Sequence, residues 1–150
     1  MKKLSIFLVL FLSMGTLIAQ TSDEEIDYIQ AMFGMEKRAA VKDFIVLKDS
    51  EKEGFWKLYD EYEIQRKVYG KERIVLLDQF TEKYETMTDE ESLVWMKSVI
   101  SLRDKNEKLI ASYYKRMLKV CSPSAAMRFY QIESYILAGI RFQILENVPF

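Results

Sequence analysis

The side chains that most often carry out catalysis are sparse in this sequence, which contains no histidine. Without an imidazole, the chain lacks the usual general base at neutral pH and the commonest protein ligand of metals. A Ser/His/Asp or Cys/His catalytic arrangement is therefore excluded. The single cysteine, Cys121, has no second thiol or imidazole with which to build a zinc site of ordinary composition. We expect a protein that is not an enzyme and that holds no metal.

Carboxylate pairs are the remaining candidates for acid–base chemistry. Glu61 with Glu63, and the run from residue 89 to residue 91, place acidic groups close together. Both sets fall on predicted solvated helix faces or at a helix start, where acidic side chains are explained by helix stability. A glycine-rich phosphate-binding loop is also absent from the sequence. We therefore expect no catalytic residue and no cofactor.

Aromatic residues are concentrated where the second predicted helix begins. Phe55, Trp56, Tyr59 and Tyr62 occupy two helical turns, and Trp56 is displaced by about 100° from Phe55. The cluster thus spans more than one face of its helix. Two interpretations stay open: the rings pack inside a monomer or dimer, or they form an exposed surface for clients.

Two arginines, Arg66 and Arg73, lie on the same stripe as these aromatic residues. Because guanidinium groups keep their charged ends in water or beside carboxylates, the stripe is expected to line a groove or to pair with a neighbouring helix. The candidate client- or partner-binding residues combine this stripe with two aromatic residues of the last helix: Phe55, Trp56, Tyr59, Tyr62, Arg66, Arg73, Phe129 and Tyr130.

The N-terminus has the layout of a secretory signal peptide. A basic start at Lys2 and Lys3 precedes an apolar run over residues 6–12, and Ala19 provides a small residue before a predicted cut. The apolar run is shorter than the ~20 residues that span a bilayer, so a retained anchor is the less favoured alternative. We expect residues 1–19 to be removed and residues 20–150 to form one domain without a membrane span. The expected location is the periplasm, with secretion as the alternative.

Charge and cysteine usage limit the partners. The whole chain has 22 basic and 23 acidic side chains, and removal of Lys2 and Lys3 leaves a net charge of −3. This balance gives no basic face for nucleic acid or for an anionic membrane surface. Cys121 cannot form an internal disulfide, although it could pair between chains.

Sparse glycine and proline, together with helix-capping patterns, predict an all-α protein of four helices. Ser22 with Glu25 and Thr88 with Glu91 form capping boxes, and Ser122 precedes Pro123 at the last helix start. Asp49 and Ser50 are expected to cap the second helix. The predicted helices cover residues 23–45, 51–85, 89–120 and 123–145.

Apolar periodicity predicts which faces are buried. The first helix is expected to bury Ile26, Ile29, Phe33, Ala40, Phe44 and Leu47. The second is expected to bury Phe55, Tyr59, Tyr62, Tyr69, Leu76, Phe80 and Tyr84. The third is expected to bury Leu93, Met96, Ile100, Ile110, Tyr114 and Met117. The fourth helix is apolar nearly all the way round, so it must be covered on several sides, and we expect a homodimer.

Two segments resemble the "LTxxQ"-like helix starts of the Spy/CpxP family of periplasmic proteins. They are residues 47–51 (LKDSE), followed by Phe55 and Trp56, and residues 87–91 (MTDEE). Lys48 stands where that family has its first threonine, and both final glutamines are glutamates. Residues 55–63 and 126–133 are also similar to segments of small exported bacterial proteins near that family.

The resemblance covers roughly residues 31–149 and implies a long antiparallel helical hairpin with flanking helices, often paired into a cradle-shaped dimer. It implies ATP-independent holding of partly unfolded envelope proteins, or inhibition of an envelope-stress sensor. The sequence therefore favours a non-enzymatic binding protein of the holdase type. The alternative is a regulatory or structural partner of one specific envelope protein.

Overall fold

The computed structural model of the protein describes residues 23–147, with the side chains of residues 23–26, 28–32 and 147 left aside. The predicted signal peptide, the capping box of Ser22 with Glu25, and the predicted burial of Ile26 and Ile29 lie outside what is described. These expectations therefore stay predictions.

The described chain is all-α and consists of four helices, as predicted. They are α1 (Asp23–Phe44), α2 (Asp49–Lys83), α3 (Asp89–Met117) and α4 (Pro123–Asn147). α2 and α3 pack along each other as a long hairpin, while α4 packs mainly on α3 and α1 contacts both α2 and α4. α2 has 35 residues, which corresponds to a length of about 52 Å. The flanking helices are shorter, with 22 residues in α1 and 25 in α4.

Local capping fixes two of the helix starts where the sequence predicts them. The Thr88 hydroxyl accepts from the Glu91 backbone N–H at 3.2 Å, and the Glu91 carboxylate accepts from the Thr88 N–H at 2.9 Å. Both predicted halves of this capping box are therefore present. At α4, the Ser122 hydroxyl accepts from the Ala125 N–H at 3.4 Å, which confirms Ser122 as the cap.

The start of α2 differs from the prediction, because Lys48 occupies the cap position and Asp49 and Ser50 lie inside the helix. A lysine side chain accepts no hydrogen bond, so another group must satisfy the free backbone donors. The Glu51 carboxylate satisfies one of them, accepting from the Lys48 N–H at 3.0 Å, and it also accepts from the Ser122 N–H before α4 at 2.8 Å. One buried carboxylate therefore joins the starts of α2 and α4.

The core lies at the end of the hairpin where α1 and α4 pack. Phe129 of α4 points its ring into the α2 aromatic cluster, with centroids 6.5 Å from Phe55, 6.4 Å from Tyr59 and 5.2 Å from Tyr62, all near perpendicular. Such edge-to-face pairs add to the free energy of burying the rings. The other fully buried apolar residues of this core include Val41, Ile110, Met117, Ala125 and Ala126.

The buried face of α1 differs from the predicted one. Phe44 is exposed, and Lys37, Val41 and Ile45 are buried at four-residue steps. A pattern of apolar residues cannot identify this face, because Lys37, one of the residues at its centre, is charged. Lys37 is buried since it contacts two carboxylates of neighbouring helices, as described below.

Candidate interaction surface

The α2/α3 hairpin extends beyond the core as a two-helix arm, defined here as residues 71–83 of α2, 89–101 of α3 and the turn between them. Not one residue from 71 to 101 is buried. Asp27, near the start of α1, pairs with Lys71 at 2.7 Å, and Arg141 of α4 pairs with Glu107 at 3.0 Å. These ion pairs mark the level at which the flanking helices meet the hairpin, at the base of the arm.

Contacts between its own two helices hold the arm together. Phe80 and Trp95 stack with centroids 4.6 Å apart, and the Trp95 indole N–H donates to the Leu76 carbonyl oxygen at 2.8 Å. Lys83 pairs with Glu91 at 3.1 Å across the turn. The arm therefore has no core of its own, and these contacts between α2 and α3, called here the arm seam, hold its two helices together.

Several large apolar side chains of the arm are exposed. The exposed fractions are 72% for Leu93, 45% for Met96 and 45% for Ile100, and Val94 and Val75 of the arm are exposed as well. This finding corrects the sequence prediction, which buried Leu93, Met96 and Ile100 on the inner face of the third helix. α3 instead buries Leu102, Asn106, Ile110 and Met117.

Leu93, Met96 and Ile100 follow one another at three- and four-residue steps and form a single stripe, called here the α3 stripe. One and two heptads beyond Ile100, on the same side of α3, lie Glu107 and Tyr114, which contact Arg141 and Tyr130 of α4. The α3 stripe is therefore the continuation of the face that α4 covers. The contacts of α4 on this face, Arg141 with Glu107 and Tyr130 with Tyr114, lie C-terminal to the stripe along α3.

Four of the predicted binding residues lie in the core and are closed to a partner. Phe55, Tyr59, Tyr62 and Phe129 have between 0% and 2% of their surface exposed. For these rings, the interpretation as packing within one subunit agrees with the structure, and the interpretation as an exposed client surface does not. Rings of this size release the most free energy when they leave water, and the flanking helices complete their enclosure.

The other predicted aromatic residues lie nearer the surface. Trp56 is half-buried beneath the Arg38 guanidinium, 4.4 Å from its ring centroid. Tyr130 is exposed on one side and contacts the edge of Tyr114, with centroids 5.8 Å apart. Neither ring adjoins the arm.

Arg66 and Arg73 both line the interior of the bundle. Arg66 donates to both oxygens of Glu63, one helical turn away, at 3.0 and 2.9 Å. Arg73 lines a cavity of about 20 Å³ together with Tyr62 and Glu133. Burial, with the positive charges of Arg141 and Arg66, lowers the pKa of Arg73 to about 10. The sequence predicted that these arginines line a groove or pair with a neighbouring helix. Arg66 does pair with a carboxylate, but that carboxylate is on its own helix.

A buried ionic cluster that the sequence did not indicate joins α1, α2 and α4. Lys37 forms ion pairs with Glu63 and, at 2.7 Å, with Glu133, and the Tyr62 hydroxyl donates to Glu133 at 2.7 Å. Burial raises the pKa of Glu133, and the charge of Lys37 opposes that rise. Lys37 and Glu133 are sealed from solvent, with 0% and 2% of their surface exposed, so the cluster positions helices and does not face a substrate.

Cys121 is buried, and its thiol donates to the Met117 carbonyl oxygen at 3.2 Å. Burial raises the pKa of this thiol to about 11, which disfavours the reactive thiolate. Within residues 23–147, no group of three or more acidic or cysteine side chains is placed to hold a metal ion. Over the same part of the chain, no helix combines the length and the apolarity needed to cross a bilayer.

No protein-family model matches this chain, and no match is found among curated proteins or solved structures. The resemblance to the Spy/CpxP family therefore stays a prediction. The function must be argued from the arm itself.

Proposed function

We propose that this protein is a non-enzymatic binding protein whose arm holds apolar segments of other proteins, in the manner of an ATP-independent holdase of the cell envelope. The observation that supports the proposal is the absence of any buried residue between positions 71 and 101, combined with the exposure of Leu93, Met96 and Ile100. The envelope location follows from the N-terminal sequence pattern.

The energetic argument concerns apolar surface in contact with water. Burying such surface is worth about 25 cal/mol per Å², and large contiguous apolar patches, above a few hundred Å², are rare on monomeric proteins and often functional. The arm retains this surface after the hairpin, α1 and α4 have packed. A client that covers Leu93 and Ile100 removes it from water without altering the core.

The chemistry of the arm suits clients that share an apolar segment and no common sequence. Met96, at the centre of the α3 stripe, has a flexible thioether side chain that adapts to different partner shapes. Trp95, next to Met96 in the sequence, stacks on Phe80 and so ties the helix that carries the stripe to α2. Lys97 and Ser101, which follow Met96 and Ile100 in the sequence, are exposed polar residues at the edge of the stripe.

An aggregation assay tests the proposal. A chain beginning at Gln20 is mixed with reduced α-lactalbumin, which aggregates as its disulfides are lost, and light scattering is followed without ATP. We expect suppression at near-stoichiometric ratios, because one arm covers one client segment. Unchanged client aggregation at several-fold excess of this protein would refute holdase activity.

The second candidate is a partner of one specific envelope protein. It is favoured by the regular spacing of the α3 stripe, which extends the α4-covered face by two helical turns and fits a single amphipathic helix. Pull-down from an envelope extract separates the candidates. Many clients in substoichiometric amounts support the holdase, whereas one saturable partner supports the specific-partner function.

A further inference from the structure

The exposed side chains on the outward face of α4 over residues 129–145 are uncharged, and the partly exposed Arg141 at the border of this face is paired with Glu107 of α3. The exposed side chains of that segment are Tyr130, Gln131, Tyr135, Ala138, Phe142 and Leu145. The segment is about 24 Å long at the usual helical rise. By contrast, the exposed side chains over residues 51–60 of α2 are all charged, namely Lys52, Glu53, Lys57 and Asp60. Charged residues are depleted where a surface becomes the centre of an interface, and this face of α4 has that composition.

The apolar residues of this face have the spacing of a helix-pairing seam. Tyr135, Ala138, Phe142 and Leu145 alternate three- and four-residue steps, as the a and d positions of a coiled coil do. The opposite side of α4 is already used, because Ile132 and Leu137 are buried in the core. The seam can therefore contact a second chain while α4 keeps the core contacts that fold the monomer.

We propose that α4 pairs with α4 of a second copy of this chain, in antiparallel orientation and centred near Ala138. The charges at the two ends of the face decide the direction. Arg128 flanks the seam at the start of α4, and Glu146 flanks it at the end. An antiparallel pair brings Arg128 near Glu146 of the partner subunit, whereas a parallel pair brings like charges together.

Two further features fit this arrangement. The small side chain of Ala138 allows the two helices to approach closely where they cross. Arg128 is held at its end of the face, since one of its guanidinium nitrogens donates to the Phe44 carbonyl oxygen at 3.0 Å. One helix per subunit makes a small interface beside the ~800 Å² per partner of standard interfaces, so we expect a dissociation constant in the micromolar range. The inference rests on α4 alone and does not depend on binding by the arm.

The mass in solution tests the pairing. Light scattering across the micromolar range should give the mass of two chains for the unaltered protein and of one chain for Ala138→Glu or Phe142→Glu, because each buries an unpaired carboxylate at the seam. Both sites are exposed in the monomer, so helix content by circular dichroism should be unchanged. Ile64→Glu, at an exposed apolar site on α2, is the matched control and should remain a dimer. A monomeric unaltered protein, or a dimeric Ala138→Glu variant, overturns the proposal.

Disulfide cross-linking tests the direction in a Cys121→Ser background. Antiparallel pairing predicts that Gln131→Cys chains cross-link to Leu145→Cys chains when the two are mixed, and that Leu145→Cys chains alone cross-link poorly. Efficient cross-linking of Leu145→Cys chains to one another would show parallel pairing and overturn the proposed arrangement.

Discussion

Trp95 donates its indole N–H to the backbone carbonyl oxygen of Leu76 at 2.8 Å, joining the two helices of the arm within a span, residues 71–101, in which no residue is buried. The hydrogen bond and the stacking of Trp95 on Phe80 are the main contacts that the arm makes with itself. The arm is thus ordered by a narrow seam, while its outer apolar side chains stay in water. This division of roles underlies the predictions that follow.

Replacing Trp95 by alanine should loosen the arm and leave the core folded. A buried aromatic ring costs about 3–5 kcal/mol when truncated, and Trp95 is half-buried, so we expect a loss of about 2 kcal/mol. Hydrogen–deuterium exchange measured by mass spectrometry should quicken in peptides from residues 71–101. Exchange over residues 51–62 and 106–117 should be unchanged.

Leu93→Ala is the control for this prediction, because 72% of the Leu93 surface is exposed. It should leave exchange in the arm as it is. Equal acceleration of exchange in the arm and in the core by Trp95→Ala would show that the arm is not a separate unit of stability.

Lys37→Met should strongly destabilise the bundle. The substitution leaves Glu133 without its cation in a buried site, and breaking one side of a buried ion pair costs about 3–5 kcal/mol. Chemical denaturation gives the change in the free energy of unfolding. Lys105→Met removes an exposed ion pair with Glu72 and should cost less than about 1 kcal/mol.

The doubly substituted protein Lys37→Met/Glu133→Gln should be more stable than Lys37→Met alone, because it leaves no unpaired charge inside. A raised pKa of Glu133 in the folded state contributes stability that is present at low pH and lost as the pH rises through that pKa. Lys37→Met should therefore regain stability as the pH falls from neutrality towards 5. A flat pH profile for this variant would contradict a buried Glu133 carboxylate.

Glu51→Gln should lower the melting temperature by a few degrees, because an amide offers one acceptor oxygen where the carboxylate offers two. The hydrogen bond from the Lys48 backbone N–H, assisted by that from Ser122, lowers the pKa of Glu51 below its ordinary value of 4.5. Its stabilisation is thus fully present above pH 4.5 and lost as the pH falls through the folded-state pKa.

The melting temperatures of the unaltered protein and of Glu51→Gln should therefore converge in acid. Glu53→Gln, which removes an exposed carboxylate from the same helical turn, is the control and should melt like the unaltered protein at neutral pH. A gap between the unaltered protein and Glu51→Gln that widens as the pH falls would contradict the proposed role of the carboxylate.

Sequence patterns predict the helices well because capping is local. The hydroxyls of Thr88 and Ser122 accept from backbone groups three residues away, so three-residue spacing is enough to locate α3 and α4. The start of α2 was placed too late because Asp49 and Ser50 are residue types that commonly cap helices, whereas Lys48 holds the cap position and Glu51 accepts from its N–H. The hydrogen bond from the Ser122 N–H to Glu51, 71 residues away, was not predicted at all. A contact between distant residues leaves no mark in local spacing.

The buried faces were predicted less well, for two physical reasons. Lys37 interrupts the apolar pattern of α1, and its burial depends on carboxylates of two other helices. The α3 stripe has an apolar period, but no helix within residues 23–147 buries it. The described lengths agree with this, since α1 and α4 have 22 and 25 residues against 35 in α2.

The most direct test of the proposed function compares client aggregation in the presence of arm variants. Leu93→Glu/Ile100→Glu places two charges on the α3 stripe, and Val46→Glu/Ile64→Glu places two charges at exposed apolar sites outside the arm. With both proteins folded, we expect the arm variant to lose most of its suppression of α-lactalbumin aggregation and the control to retain it. An arm variant that suppresses aggregation as well as the unaltered protein would contradict the proposal that the arm holds clients.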